Sequence, residues 1–365
     1  MDKAHMDADT LNPLRESLAR YGRERYTLEQ RRERMASAAG YGVDAWADYA
    51  EMGWLALPAS ADDGGFASDP QAIGALMQYA GQALAVEPLF ASVVLCGRLF
   101  GLAGEDALAR ASLQALAQGT RVFALAHAED DIDGMAAPVT ASVRDGRLTG
   151  TKRVVLHGDS AHSLLVTARD AAGRAGFYLV DATLWQVRRS AFRLIDGRGA
   201  ANIDFADAPA DAIAEGRDAE ALLAQVLDDA RLALCSEGYG AAKALNALTL
   251  AHLKDRKQFG RAIGTNQALQ HRMVELYMLQ EEGRAVIGAA YLAERSGRRA
   301  AIHAALAHVM TLGRQASHEA VQMHGGIGIT EELAVSHYFR RIMVVNRLLG
   351  DRAAQVERFA ALAAV

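Results

Sequence analysis

Arg256 opens the segment Arg256-Lys257-Gln258-Phe259-Gly260-Arg261-Ala262-Ile263-Gly264, and Gln267 follows it. A guanidinium suits phosphate oxygens, an aromatic ring suits a flat base, and glycine lets the backbone approach a ligand closely. These residue types at this spacing fit a phosphate-bearing aromatic cofactor. They also fit a cationic helix end closed by a glycine cap. A second segment, Gln322-Met323-His324-Gly325-Gly326-Ile327-Gly328-Ile329-Thr330-Glu331-Glu332, is a glycine-rich link between two helical patterns. Backbone N–H groups in such a link can receive phosphate oxygens. Thr330 is expected as an N-cap, with the acids in the helical turn that follows. A carboxylate held there beside a buried cofactor suits general-base work. The plainer alternative is that Glu331 and Glu332 only complement the helix dipole. Neither glycine cluster is a dinucleotide fingerprint. No strand precedes Gly325, and Gly238-Tyr239-Gly240 lies inside a helical pattern.

Helices and a β segment must position these residues. Helical patterns with short breaks run from Asn12-Pro13, where proline suits a first turn, to about Gln118. The clearest break is Leu57 to Gly65. The texture changes near Gly119. Asp145-Gly146 between Val143 and Leu148 predicts a type I′ hairpin, and Ala201 to Phe205 alternates with period two. Residues 120–212 are expected to form a barrel-like antiparallel β domain. It separates an N-terminal helical domain (1–119) from a C-terminal helical bundle (213–365). Three long helical patterns cover about 220–256, 267–296 and 299–323. The third carries Ile302, Leu306, Val309, Gly313, Ala316 and Ala320 on one stripe. The fold class is α+β, mostly α, ending in a four-helix bundle.

Composition narrows the function. The 365 residues predict two to three domains. A 51% hydrophobic, 23% charged chain is an ordinary globular one. The net charge of -5 argues against a general nucleic-acid binder but leaves room for a local site for a few phosphates. Two cysteines, Cys96 and Cys235, make no disulfide framework. No apolar run is long enough to span a membrane, and the acidic start does not read as a signal peptide. A reducing cytoplasm is therefore expected, with neither membrane nor nucleic acid as partner. The pairs His303/His308 and His157/His162 are spaced poorly for one helical face, and His318-Glu319 lacks a partner, so no metal site is expected.

The two segments together, in this order around a β insert, resemble the acyl-CoA dehydrogenase family over nearly the whole chain. The family's Arg-x-x-Phe-Gly-x-x-x-Gly-x-x-Gln pattern is matched by Arg256, Phe259, Gly260, Gly264 and Gln267. Its Gln-x-x-Gly-Gly-x-Gly pattern is matched by Gln322, Gly325, Gly326 and Gly328. An N-terminal loop resembling Gly53-Trp54 through Pro58 to Gly64-Gly65 and a β-domain close resembling Leu194 to Phe205 agree. The resemblance implies a noncovalent FAD between subunits. Arg256 and Phe259 would face the adenine-pyrophosphate half of a neighbour's flavin, and Gln322, Gly325 and Gly326 would meet the same part from another subunit. It implies α,β-dehydrogenation of an acyl-CoA, with Glu332 as base, hydride passing to flavin N5, and electrons leaving to an electron-transfer flavoprotein or similar acceptor. The alternative base position in an earlier helix falls on Ala230. Arg231 resembles an arginine near the acyl site, and a structural ion pair suits it equally.

Departures from the family pattern are concentrated at the flavin ring. The usual Thr-Glu-Pro and the stretch after it read Ala128-Glu129-Asp130-Asp131, and Lys-x-Trp-Ile-Thr/Ser reads Lys152-Arg153-Val154-Val155-Leu156. The usual Glu-Gly-Thr reads Leu349-Gly350-Asp351. Backbone amides are expected to stand in for the lost side chains. The pattern is similar to small subunits of bacterial two-component acyl-CoA dehydrogenases. That implies a homotetramer, or a heterotetramer with a larger dehydrogenase subunit. A non-catalytic structural partner, or another flavin oxidation such as that of a nitroalkane oxidase, stays open.

Overall fold

Six helices lead the chain: α1 (Ala8–Arg25), α2 (Leu28–Ala36), α3 (Val43–Glu51), α4 (Pro70–Ala83), α5 (Arg98–Ala103) and α6 (Ala107–Ala117). A π-helical stretch, Leu89–Gly97, precedes α5. Eight strands follow: β1 (Phe123–Ala126), β2 (Ser142–Arg144), β3 (Arg147–Leu156), β4 (Ser163–Arg169), β5 (Ala175–Asp181), β6 (Val187–Arg193), β7 (Gly199–Pro209) and β8 (Asp211–Ile213). Helix α7 (Ala219–Asp255), the hairpin strands β9 (Lys257–Gln258) and β10 (Arg261–Ala262), and helices α8 (Gln267–Leu292), α9 (Arg298–His324), α10 (Ala334–Val345) and α11 (Arg352–Ala363) complete it. This computed structural model describes residues 8–60, 69–130, 139–215 and 217–363. The second half of the Leu57–Gly65 break therefore lies outside the described residues. The chain divides into two compact units: Met1–Leu14, Glu29–Ile73 and Val86–Ala230 form one, and Arg15–Leu28, Gly74–Ala85 and Arg231–Val365 the other.

In the first unit the strands pair in the order β6-β7-β3-β2-β4-β5-β8. Strand β1 joins β4 in parallel, an exception to the mostly antiparallel pairing that the alternating pattern predicts. Asp145 (φ 49°) and Gly146 (φ 70°) both turn left-handed between β2 and β3, as a type I′ hairpin requires. One sheet face buries Leu148, Val155, Leu164, Val166, Val180, Ile203 and Phe205. The Ser92 hydroxyl anchors β1 through both backbone polar groups of one residue, donating to the Phe123 carbonyl (2.6 Å) and accepting from its amide (3.1 Å). Asp106 caps α6 through the Ala109 amide and also accepts from the Ala214 amide just beyond β8.

In the second unit the predicted stripe of α9 is buried from Ile302 to Ala320. Small residues bring the helices close. A Cβ on Gly313 would lie 2.8 Å from Ile342 of α10, and one on Gly238 of α7 would lie 2.8 Å from Val309 of α9. Gly81 of α4 faces the Glu237 carbonyl of α7, and Gly240 faces that of Gln78, so closely that no side chain fits at either. The dipeptide pattern Gly238-Tyr239-Gly240 is thus a helix-packing device. Arg341 of α10 pairs with Glu237 (3.0 Å), both buried, and donates to the Ala85 carbonyl (2.7 Å).

Candidate functional site

Arg256 leaves α7 at its last hydrogen bond, its amide donating to the His252 carbonyl (2.8 Å). Its own carbonyl accepts from the Ile263 amide (2.9 Å), which closes the neck of a two-residue hairpin. Gln258 pairs with Arg261 and Lys257 with Ala262, leaving Phe259 and Gly260 as the turn. Phe259 has φ 51° and Gly260 φ 80°, a type I′ geometry with a bulky residue in the first place. A left-handed non-glycine residue costs roughly 1–2 kcal/mol. No packing offsets that cost, because the Phe259 ring is fully exposed at 101%. A strained aromatic projecting from a hairpin tip suits a ligand or partner outside its own chain. The Arg261 guanidinium donates to Asn266 (2.9 Å), and exposed Gln267 begins α8.

The second segment follows α9. Gly325 has φ 70°, and a Cβ on Gly325 or Gly326 would meet nothing within 4 Å. The turn therefore presents open backbone, with the exposed side chain of Gln322 one helical turn before it. Thr330 does not cap α10, whose N-cap is Leu333. Its hydroxyl instead donates to the Ile327 carbonyl (2.9 Å), closing the short 3-10 turn Gly325–Ile329. The Thr330 carbonyl accepts from the Ser336 hydroxyl (2.7 Å), and that of Glu331 pairs with His337 Nε2 (3.2 Å). These bonds hold Thr330 to Leu333 as a strap outside the helix, so the two acids are not in its first turn. Glu331 forms a two-pronged bridge to Arg340 (2.6 and 2.8 Å). Glu332 is exposed and has no hydrogen bond or ion pair among the described residues.

The roots of the two segments meet. The imidazole of His252, on the last turn of α7, stacks on that of His324, the last residue of α9, with centroids 4.2 Å apart. Arg256, Phe259, Gln322, Gly325 and Gly326 thus extend from one joined pair of helix ends. Arg231 is not among them: it is buried near the other end of α7, roughly 37 Å away at helical rise. Among the described residues no cluster of three metal-ligating side chains forms, and no helix is long and apolar enough to cross a membrane.

Two of the segments that depart from the family pattern, those around Ala128 and Lys152, form a polar knot in the first unit. Lys152 of β3 is fully buried and donates to Glu129 (2.8 Å), the His127 carbonyl (2.9 Å) and Thr167 (3.3 Å). Burial raises the Glu129 carboxyl, but the Ala141 amide, the Lys152 ammonium and the Thr140 donors outweigh it and hold the pKa at about 2. Burial lowers the Lys152 pKa against the pull of Glu129. Beyond Lys152 a bulge puts Val154 at φ 49°. The Arg153 amide donates to the Ala128 carbonyl (2.8 Å) and the Val154 amide to Asn202 (3.0 Å). At these two positions the expected free amides are engaged within the chain. Asp131 lies outside the described residues. The sequence offered a signal for this knot, since Glu129 and Lys152 sit in two of the three departing segments, but nothing there placed them in contact.

Residues 220–363 match the family described as "Acyl-CoA dehydrogenase, C-terminal domain". The "Acyl-CoA dehydrogenase IpdE2" of Mycobacterium tuberculosis is 30% identical over 85% of this chain and 83% of its own length. Its namesake from Mycolicibacterium smegmatis is 41% identical over 37% of this chain and 42% of that protein, so that alignment spans under half of the relative. Among solved structures, a variant of the Tcur3481-Tcur3483 steroid ACAD superposes with a TM-score of 0.86 at 28% identity, covering 98% of both chains. The ChsE4-ChsE5 complex from M. tuberculosis (TM-score 0.85, 21% identity, 98% of both chains) and an FAD complex of PigA (0.87, 19%, 100% of this chain and 99% of that one) share the fold. With both glycine-bearing segments at joined helix ends and a relative matched along most of its length, the chain belongs to the acyl-CoA dehydrogenase family of oxidoreductases.

Proposed function

We propose that this chain takes part in FAD-dependent α,β-dehydrogenation of an acyl-CoA thioester. The observation that carries the reading is the pair of exposed segments at the joined ends of α7 and α9: a strained, solvent-facing Phe259 beside Arg256, and an open Gly325-Gly326 turn beside Gln322. This donor set fits a dinucleotide, the guanidinium and backbone N–H groups taking phosphates and the ring taking adenine. Gln267 would join them from the start of α8. Bound FAD would supply the hydride acceptor. Glu332 is the candidate base for the α-proton, which the thioester carbonyl acidifies. Arg231 is placed with the acyl group by resemblance alone. Electrons would leave to an electron-transfer flavoprotein or a similar acceptor, and the cytoplasm is the expected compartment.

Val274, Tyr277 and Met278 make an exposed apolar stripe on α8, and Leu248 and Leu250 are exposed on α7. That uncovered apolar surface supports an interface with another chain, and the tetramer is what the family resemblance implies. Specific observations favour a second reading, in which a larger dehydrogenase subunit supplies the base and this chain is the structural half of a heteromer. Glu332 is exposed where a base needs a dry site, Leu349 stands where the family has Glu-Gly-Thr, and the amides at Arg153 and Val154 are engaged. One experiment separates the readings. The chain is purified alone and co-expressed with a larger dehydrogenase chain, each as wild type and as Glu332→Gln. Flavin absorption, and its bleaching by acyl-CoA, are then recorded. Bound flavin with bleaching abolished by Glu332→Gln supports Glu332 as base. Undiminished bleaching in the co-expressed variant assigns the base to the partner, and a colourless protein in both forms overturns the cofactor reading.

A further inference from the structure

The stacked imidazoles of His252 and His324 are not among the residues that match the family pattern, yet they sit at the root of both candidate cofactor segments. His324 is held from three sides. Its Nδ1 lies 2.8 Å from the Ala320 carbonyl one turn earlier, and because a carbonyl only accepts, Nδ1 carries the proton. The His252 ring lies against its face, with planes 27° apart. The returning 3-10 turn brings Gly328 so near that a Cβ there would lie 3.0 Å from the Cβ of His324. His324 is followed directly by Gly325, so its placement sets where the open turn begins. On the other side, the His252 carbonyl accepts the Arg256 amide, so Arg256 departs one helical turn beyond the stacked ring. Burial, His324 and Arg256 hold the His252 pKa below its ordinary value against the pull of Asp255, which keeps this ring neutral and able to stack at pH 7.

We propose that the His252–His324 stack is a positioning pair: it locks the root of the Arg256–Phe259 hairpin against the root of the Gly325–Gly326 turn, so that both meet a dinucleotide as one preformed surface. This rests on the FAD reading above and departs from it at one point: the resemblance assigned the two segments to different subunits, whereas the stacked rings join their roots within one chain, so both would meet the same cofactor. Two unlinked segments would have to be ordered as the cofactor binds, whereas the stack orders them when the chain folds.

The test measures FAD dissociation constants by flavin fluorescence, on whichever form holds FAD, the chain alone or with its partner. His252→Ala and His324→Ala are each expected to weaken binding about five- to tenfold. The double variant should lose little more than either single one, because both remove the same contact. His252→Phe and His324→Phe keep a flat ring and should bind within about twofold of wild type. Unfolding midpoints of the cofactor-free variants check that each has folded. Alanine variants that bind like wild type, losses that simply add, or phenylalanine variants as weak as the alanine ones overturn the positioning role. A wild-type protein that binds no FAD in either form is a separate outcome, overturning the cofactor reading and the pair's role with it.

Discussion

Replacing Phe259 by asparagine should move stability and cofactor affinity in opposite directions. Phe259 occupies the first turn position of a two-residue type I′ hairpin at φ 51°, followed by Gly260 at φ 80°. Asparagine before glycine is the sequence that this turn favours, because its short polar side chain tolerates the left-handed region. The substitution removes roughly 1 kcal/mol of strain. It removes no packing, since the ring is fully exposed. One kcal/mol corresponds to about a fivefold slower exchange of the hairpin amides of Arg261 and Ile263, read by hydrogen exchange and mass spectrometry on cofactor-free protein. If the ring stacks on adenine, its loss costs about 1–3 kcal/mol, so FAD should bind about tenfold or more weakly, read by fluorescence titration. A steadier hairpin with weaker FAD binding is the expected signature. Unchanged FAD affinity would refute the assignment of Phe259 to the cofactor, and unchanged exchange would refute the strain argument.

Two further predictions concern the polar knot. Lys152→Met should destabilise the first unit by about 1–3 kcal/mol, because it leaves the partly buried Glu129 carboxylate without its ammonium, and Lys152→Met with Glu129→Gln should recover part of that loss in urea unfolding. The pH dependence has a definite sign: Glu129 is held at about 2 in the folded chain against an ordinary value near 4.5, so its stabilisation is complete above pH 4.5. As pH falls from there toward 2, the unfolded carboxyl takes up a proton first. About 2 kcal/mol, discounted for partial exposure, should then disappear from the unfolding free energy.

Much of the helical frame was legible because long periodic patterns leave few alternatives. The pattern over 220–256 became α7 at Ala219–Asp255, and that over 299–323 became α9 at Arg298–His324. The Asp145-Gly146 turn was legible because its residues suit left-handed backbone. The Phe259 hairpin was not, because phenylalanine is a poor first residue for the same turn and the strands beside it have two residues each. Thr330 misled for a different reason. Its type suits an N-cap, but the side chains of Ser336 and His337 reach back along α10 and capture the strap that the cap would have closed. Lys152 was hidden by register. Leu148, Gly150 and Lys152 share one parity of β3, so pairing with β7 carries a charged residue onto the face that buries Leu148. Contacts with Glu129, the His127 carbonyl and Thr167, all distant in sequence, make that placement tolerable.

The division of features along the chain bears on how it would share a cofactor with a partner. Segments proposed for phosphates and adenine stand open: cation, ring and glycine turn extend from helix ends that the stacked imidazoles join. Segments that resemble the flavin-ring contacts have instead turned inward, with Lys152 and Glu129 satisfying each other and the neighbouring amides bonded to Ala128 and Asn202. A polar group satisfied inside the fold has little to gain from a ligand, because bonding to it would first require breaking a buried hydrogen bond at a cost of about 1–3 kcal/mol. The knot is therefore a poor redox-end site, while the hairpin and turn still present their donors to solvent. Anchoring a dinucleotide needs open donors such as those of the hairpin and turn, and hydride chemistry would need open donors at the knot as well. A chain that keeps one and closes the other fits an assembly in which subunits contribute opposite ends of one cofactor site.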